Sequence, residues 1–154
     1  MGRRSRKWIW LWGFVLAIAV LAAIFFKSRP MLSPENHPKI LFMDIELEKG
    51  GKTSAYTISD DEIPDEMAHQ LISIFTDIKI RNTLLPPPQV YEIAEGCTHI
   101  TVRLMLENAK TSSMFVNLCS DPHYSSAQFG DTHYSIIHSQ QVFDSVYRLL
   151  SDES

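Results

Sequence analysis

Two kinds of apolar pattern divide the chain. From Trp8 to Phe26 there is no alternation: the run carries no charge and no strongly polar side chain. Wound as a helix, it spans about 28 Å at ~1.5 Å per residue, close to the hydrocarbon thickness of a bilayer. Lipid offers no partner to a bare backbone, so the expected form is a transmembrane helix. Trp8, Trp10 and Trp12 stand at its start, where indole rings anchor at the headgroup boundary. The run exceeds the apolar region of a cleaved signal peptide and ends Ile24-Phe25-Phe26-Lys27, without a small-residue cleavage pattern. It is therefore expected to remain as an uncleaved anchor.

From residue 39 onward the apolar positions become periodic. Leu41, Met43, Ile45 and Leu47 alternate with Asp44, Glu46 and Glu48, the mark of a half-buried strand. Gly50-Gly51, between Lys49 and Lys52, predicts a two-residue hairpin turn, which sets Ile45 beside Tyr56 and Met43 beside Ile58. Ser59-Asp60-Asp61-Glu62 reads as a capping box opening a helix over 62–76, with Ile63, Met67, Leu71, Ile74 and Phe75 on one face. Residues 78–84 alternate again as a short edge strand, closed by Pro86-Pro87-Pro88. Thr98–Glu107 is the clearest strand, with Ile100, Val102, Leu104 and Leu106 inward, and Met114, Val116 and Leu118 restore that inward face after a turn at 108–112. Gly130-Asp131 marks another hairpin between Ala127–Phe129 and His133–His138. Ser139 is expected to cap a last helix whose stripe is Val142, Phe143, Val146, Leu149 and Leu150. The expected fold is α+β: an N-terminal transmembrane helix, then a small, mostly antiparallel sheet with two helices packed on one face.

Charge sharpens the division. Residues 1–37 carry Arg3, Arg4, Arg6, Lys7, Lys27 and Arg29 against Glu35, whereas the remainder holds 17 acidic and 8 basic side chains, a formal −9. An acidic domain is repelled by phosphate backbones, which argues against nucleic-acid binding. The cations before Trp8 favour a cytoplasmic N-terminus and an extracytoplasmic domain. The expected layout is a basic cytoplasmic stub at 1–7, the anchor at 8–26, a linker at 27–38 and a soluble domain at 39–151. Pro30, Pro34 and Pro38 exclude a continuing helix in the linker, which should hold the domain away from the headgroups. The membrane, through residues 8–26, is the expected partner, joined by an envelope protein or peptide.

The opening strand pair, Ile58-Ser59-Asp60 before the first domain helix, Lys79-Ile80-Arg81-Asn82-Thr83 before the prolines and His133-Tyr134-Ser135-Ile136 before the last helix carry a resemblance across most of residues 39–150. The layout resembles uncharacterised extracytoplasmic domains of small membrane-anchored proteins of Gram-positive bacteria. The resemblance implies a compartment and a fold, and no biochemical role.

Candidate chemistry is sparse. No G-x-S-x-G, S-x-x-K or H-E-x-x-H occurs, and no catalytic residue, cofactor or metal is assigned. Cys97 and Cys119 are the only cysteines. They fall opposite each other if cross-strand residue numbers sum to 216, allowing a disulfide, and are offset by four residues if the sum is 220, forbidding one. An intermediate register sets His99 opposite Cys119, and Cys97, His99 and Cys119 then form a candidate soft-metal site without a fourth ligand. His123, His133 and His138 read as surface histidines able to sense pH. The acidic run Asp60–Glu66 suits a helix N-terminus better than a calcium loop. The leading expectation is a non-catalytic, membrane-anchored interaction or sensory module. The alternative is a tethered enzyme or metal-binding domain using Cys97, His99 and Cys119.

Overall fold

The computed structural model describes residues 3–32, 40–59, 66–84, 96–106 and 113–151. Helix α1 covers Arg3–Phe25, so the basic stub is helical and continuous with the apolar run. Among the described residues no helix is long and apolar enough to cross a membrane.

Among the other described residues there is one eight-stranded antiparallel sheet with two α-helices and a short 3-10 turn. In chain order come β1 (Arg29–Pro30), β2 (Ile40–Lys49), β3 (Lys52–Ser59), α2 (Glu66–Asp77), β4 (Lys79–Asn82), β5 (His99–Leu106), β6 (Ser113–Cys119), β7 (Ser126–Phe129), β8 (Thr132–Ile136) and α3 (Ser139–Ser151). Across the sheet the order is β1-β4-β8-β7-β6-β5-β2-β3. The α+β class and the mostly antiparallel sheet are as the periodicity predicts.

The hairpin at Gly50-Gly51 forms with Ile45 opposite Tyr56 and Met43 opposite Ile58, as expected. Both glycines take positive φ (58° and 75°), the conformation a two-residue turn of this kind demands. Gly130, at φ 54°, serves the β7–β8 turn, where Phe129 pairs with Thr132. One side of the sheet is sealed. Met43, Ile45, Ile100, Val102, Leu104, Met114, Val116 and Leu118 are inaccessible to solvent beneath Leu71 and Phe75 of α2 and Val146 and Leu150 of α3. A buried side chain of this size contributes about 1.5–3 kcal/mol, so this shared core holds the helices against the sheet. The other side carries Asp44, Glu46, Thr101, Arg103, Phe115 and Gln128.

The structure differs from expectation at three places, and part of a fourth expectation lies outside the described residues. The proline-rich stretch is not simply a linker. Arg29 and Pro30 pair with Ile80 and Lys79, the Met31 N–H donates to the Ile78 carbonyl at 2.7 Å, and Met31 and Leu32 are buried in the core. Consequently β4 is not an edge strand, since β1 covers one side and β8 the other. Ser139 does not cap α3: it is the first helical residue, and its hydroxyl donates to the Pro122 carbonyl at 3.4 Å. His138 precedes it at φ 56°, and its carbonyl accepts from the N–H groups of Gln141 and Val142. The helix predicted over 62–76 is described from Glu66 to Asp77, and the Asp60–Glu62 part of the capping box lies outside the described residues.

Candidate functional site

The register gives the sheet two ends. At one end Asn82 closes β4, and its side-chain amide donates to the Phe25 carbonyl of α1 at 2.8 Å. Only three residues separate Phe25 from β1. Leu84 follows β4 and is 74% exposed. At the other end lie the Gly50-Gly51 turn, the start of β5, the end of β6 and the entry to α3. Potential chemistry gathers at this second end, remote from α1.

The ladder pairs His99 with Cys119 on β6 and with Glu48 on β2. This is the intermediate register, so neither limiting alignment of the two cysteines holds: Cys119 faces His99, and Cys97 sits diagonally. His99 is buried, and its Nε2 has no hydrogen-bond partner. Burial pulls the imidazole below its ordinary pKa, while the Glu48 carboxylate opposes that pull. Cys119 is fully buried, and its N–H donates to the Ser125 hydroxyl at 3.0 Å. Burial pushes its thiol up, a backbone hydrogen bond from Asp121 draws it down, and the neighbouring Cys97 thiol pushes it up again.

The loop after β6 is built to hold this corner. Asp121 accepts from the His123 N–H at 3.0 Å and so caps the short 3-10 turn Pro122–Tyr124. The Ser120 N–H reaches the Thr98 carbonyl at 3.0 Å, and the Thr98 N–H reaches the Ser120 hydroxyl at 3.1 Å. These bonds extend the β5–β6 pairing by one step and draw Cys97 toward Cys119.

Cys97, His99 and Cys119, the set named for the alternative metal-binding reading, all lie at this corner. Among the described residues no group of three or more His, Cys, Asp and Glu side chains is placed to hold a metal ion. The Cys97 thiol raises the Cys119 thiol, and the Glu48 carboxylate raises the His99 imidazole against its burial. Both cysteines are free thiols. A protonated, buried Cys119 is a poor nucleophile. His123 and His138 are exposed and His133 is half-buried on β8 opposite Gln128, so the three histidines form no cluster through the ladder.

A groove of about 360 Å³ opens beside this corner, between the end of α2, the start of β4 and the first half of α3. Its floor is apolar, with Ile74, Ile78 and Val142, and its rim carries Asp77, Lys79, His138 and Gln141. That size falls in the range of small-molecule and peptide side-chain pockets. His138 sits on the wall in the left-handed region, which costs a non-glycine residue about 1–2 kcal/mol. The Ser139–Pro122 hydrogen bond links the groove's helix to the loop that carries Asp121 and Cys119. Sequence reasoning names His138 and misses the rest of the groove, because no local pattern encodes a gap between a helix and a strand.

The three tryptophans expected at the membrane boundary, Trp8, Trp10 and Trp12, are 61%, 80% and 66% exposed. They touch no part of the core. No family model matches the chain, and no curated protein or solved structure matches it either.

Proposed function

We propose that the chain is a single-pass, membrane-anchored interaction or sensory module, non-catalytic, with its domain on the extracytoplasmic side. It meets an envelope protein or peptide through the end of the sheet remote from α1. The observation that carries this reading is the uncovered apolar surface of α1. Leu11, Leu16, Leu21 and Ile24 are 55%, 67%, 65% and 66% exposed, and the sequence supplies no polar stripe to face water. An exposed apolar surface of that extent calls for lipid or a partner.

Length bears on the same point. The apolar sequence from Trp8 to Phe26 spans about 28 Å as a helix, matching a ~30 Å hydrocarbon core within the tolerance that tilt, local thinning and interfacial indoles provide. The four cations of Arg3, Arg4, Arg6 and Lys7 favour the cytoplasmic side for the N-terminus. The resemblance to extracytoplasmic domains of small anchored proteins points to the same side for the domain. The short connection to β1 and the Asn82–Phe25 hydrogen bond hold one end of the sheet at the anchor, and the groove and the thiol corner project from the other.

The test is a Thr53→Cys variant in a background lacking Cys97 and Cys119, treated on intact cells with a membrane-impermeant maleimide. Thr53 is exposed on β3. Labelling of intact cells is expected. Labelling only after lysis sinks the topology. A photo-crosslinking residue at Gln141, on the groove rim, should then trap a discrete envelope protein or peptide, and adducts only to lipid and detergent count against the interaction role.

A further inference from the structure

The end of the sheet remote from α1 carries the only two cysteines of the chain, and they are neighbours. The register sets Cys97 diagonally across from Cys119, and the Cys97 thiol is one of the groups that raise the Cys119 thiol. Cys119 is fully buried, whereas Cys97 is half-buried. Diagonal positions on adjacent strands stand about 7–8 Å apart at Cα, slightly beyond the ~4.4–6.8 Å that a disulfide needs. Cys97, however, precedes the first residue of β5 and is not fixed by the ladder. It follows Gly96, which sits at φ 99° with open space where a side chain would be. Thr98 is already tied to Ser120 by two hydrogen bonds, so the last small approach must come from the Gly96–Cys97 backbone.

The geometry points to a Cys97–Cys119 dithiol that closes to an intrachain disulfide by exchange with a disulfide oxidant. Cys97, the accessible member, attacks one sulfur of the oxidant as the thiolate; a mixed disulfide forms and the first oxidant thiol leaves. Cys119 then attacks the Cys97 sulfur, forms the intrachain bond and expels the second oxidant thiol. The two protons and two electrons of the cysteine pair end on the two released thiols, so the exchange balances. Burial, which keeps Cys119 protonated, suits it to the second, intramolecular step rather than the first.

Closure would lock Cys97, two residues before β5, to the stem of the Asp121 loop. That loop is tied to α3 through Ser139, and α3 forms one wall of the groove. The bond therefore acts as a clasp on the proposed binding end. The inference rests on the proposed extracytoplasmic location only for the supply of oxidant; the pairing of the two thiols does not depend on it.

The experiment uses the full chain, purified in detergent, reduced, freed of reductant and incubated with oxidised glutathione. Free thiols are counted by alkylation and mass spectrometry, and the product is mapped by proteolysis without reduction. Both thiols should vanish together in a monomer, with Cys97 and Cys119 cross-linked in one peptide pair and the melting temperature raised by about 10 °C. Cys119→Ser should instead accumulate a glutathione adduct at Cys97. A persistent adduct on Cys97 of the wild type with Cys119 still free, or disulfide-linked dimers as the main product, overturns the inference. Acid-quenched alkylation of whole cells separates it from the topology. Closure in the purified protein with both thiols reduced in cells refutes the extracytoplasmic location and leaves the dithiol standing.

Discussion

Burial keeps the His99 imidazole neutral at the core's edge, with Nε2 unpartnered and Glu48 across the ladder. Its folded pKa lies below the ordinary 6.5. Well above 6.5 both folded and unfolded chains carry it neutral, and it contributes no pH dependence. As pH falls through 6.5 the unfolded chain takes up a proton that the folded chain refuses, so stability is lost until the folded value is reached and then levels off. His99→Phe is expected to flatten this acid limb, and Glu48→Gln to carry it further toward acid, in urea midpoints measured across the histidine range. His138 offers a second case. Its φ of 56° suits asparagine or glycine and penalises a β-branched side chain. His138→Val should cost about 1–2 kcal/mol while His138→Asn stays close to neutral in the same denaturation series.

Among the elements, β1 alters the domain most for its size. Two residues extend the sheet past β4, and the next two, Met31 and Leu32, enter the core. A soluble fragment beginning at Lys27 should therefore exceed one beginning at Pro38 in stability by about 4 kcal/mol or more, since Met→Ala or Leu→Ala at a buried site alone costs ~2–5 kcal/mol. Urea unfolding of the two fragments decides it, and equal midpoints would show that residues 27–37 add nothing to the fold. This element was illegible in the sequence for a physical reason. Two residues have no period, and Pro30, which lacks an N–H, looks like a strand breaker but is tolerated in an outer strand. The hairpin of β2 and β3 was legible because turn chemistry at Gly50-Gly51 and alternation on both sides fix one register. The β5–β6 pairing was legible as a pair but not in alignment. The segment between Leu106 and Ser113 accommodates more than one register, and the contest between thiol–thiol and His–thiol pairing could be read only from the ladder. The acidic alternation of Asp44, Glu46 and Glu48 foretold an open sheet face, whereas the groove depends on how α3 leans beside β4 and leaves no local trace.

For the molecule as a whole, if α1 is the membrane anchor proposed above, the Asn82–Phe25 contact and the three-residue joint predict a defined height of the domain above the bilayer. A fluorophore at Leu84, beside the anchor, should be quenched by brominated lipids in nanodiscs, and one at Thr53, toward the far end of the sheet, should not. The Trp8, Trp10 and Trp12 fluorescence in the same sample reports separately whether the helix is inserted. Strong tryptophan quenching with equal, weak quenching at both domain positions would mean that the domain swings freely.

β4 gives this arrangement a mechanical character. It holds the Phe25 carbonyl at Asn82 and forms the groove rim at Lys79, about 10 Å away along a strand braced on both sides. On the proposed anchoring, a strand so paired offers a short path by which tilting of α1 in the bilayer would reach the groove. Occupancy of the groove and the lean of the helix would then load the same strand, and whatever stiffens one would steady the other.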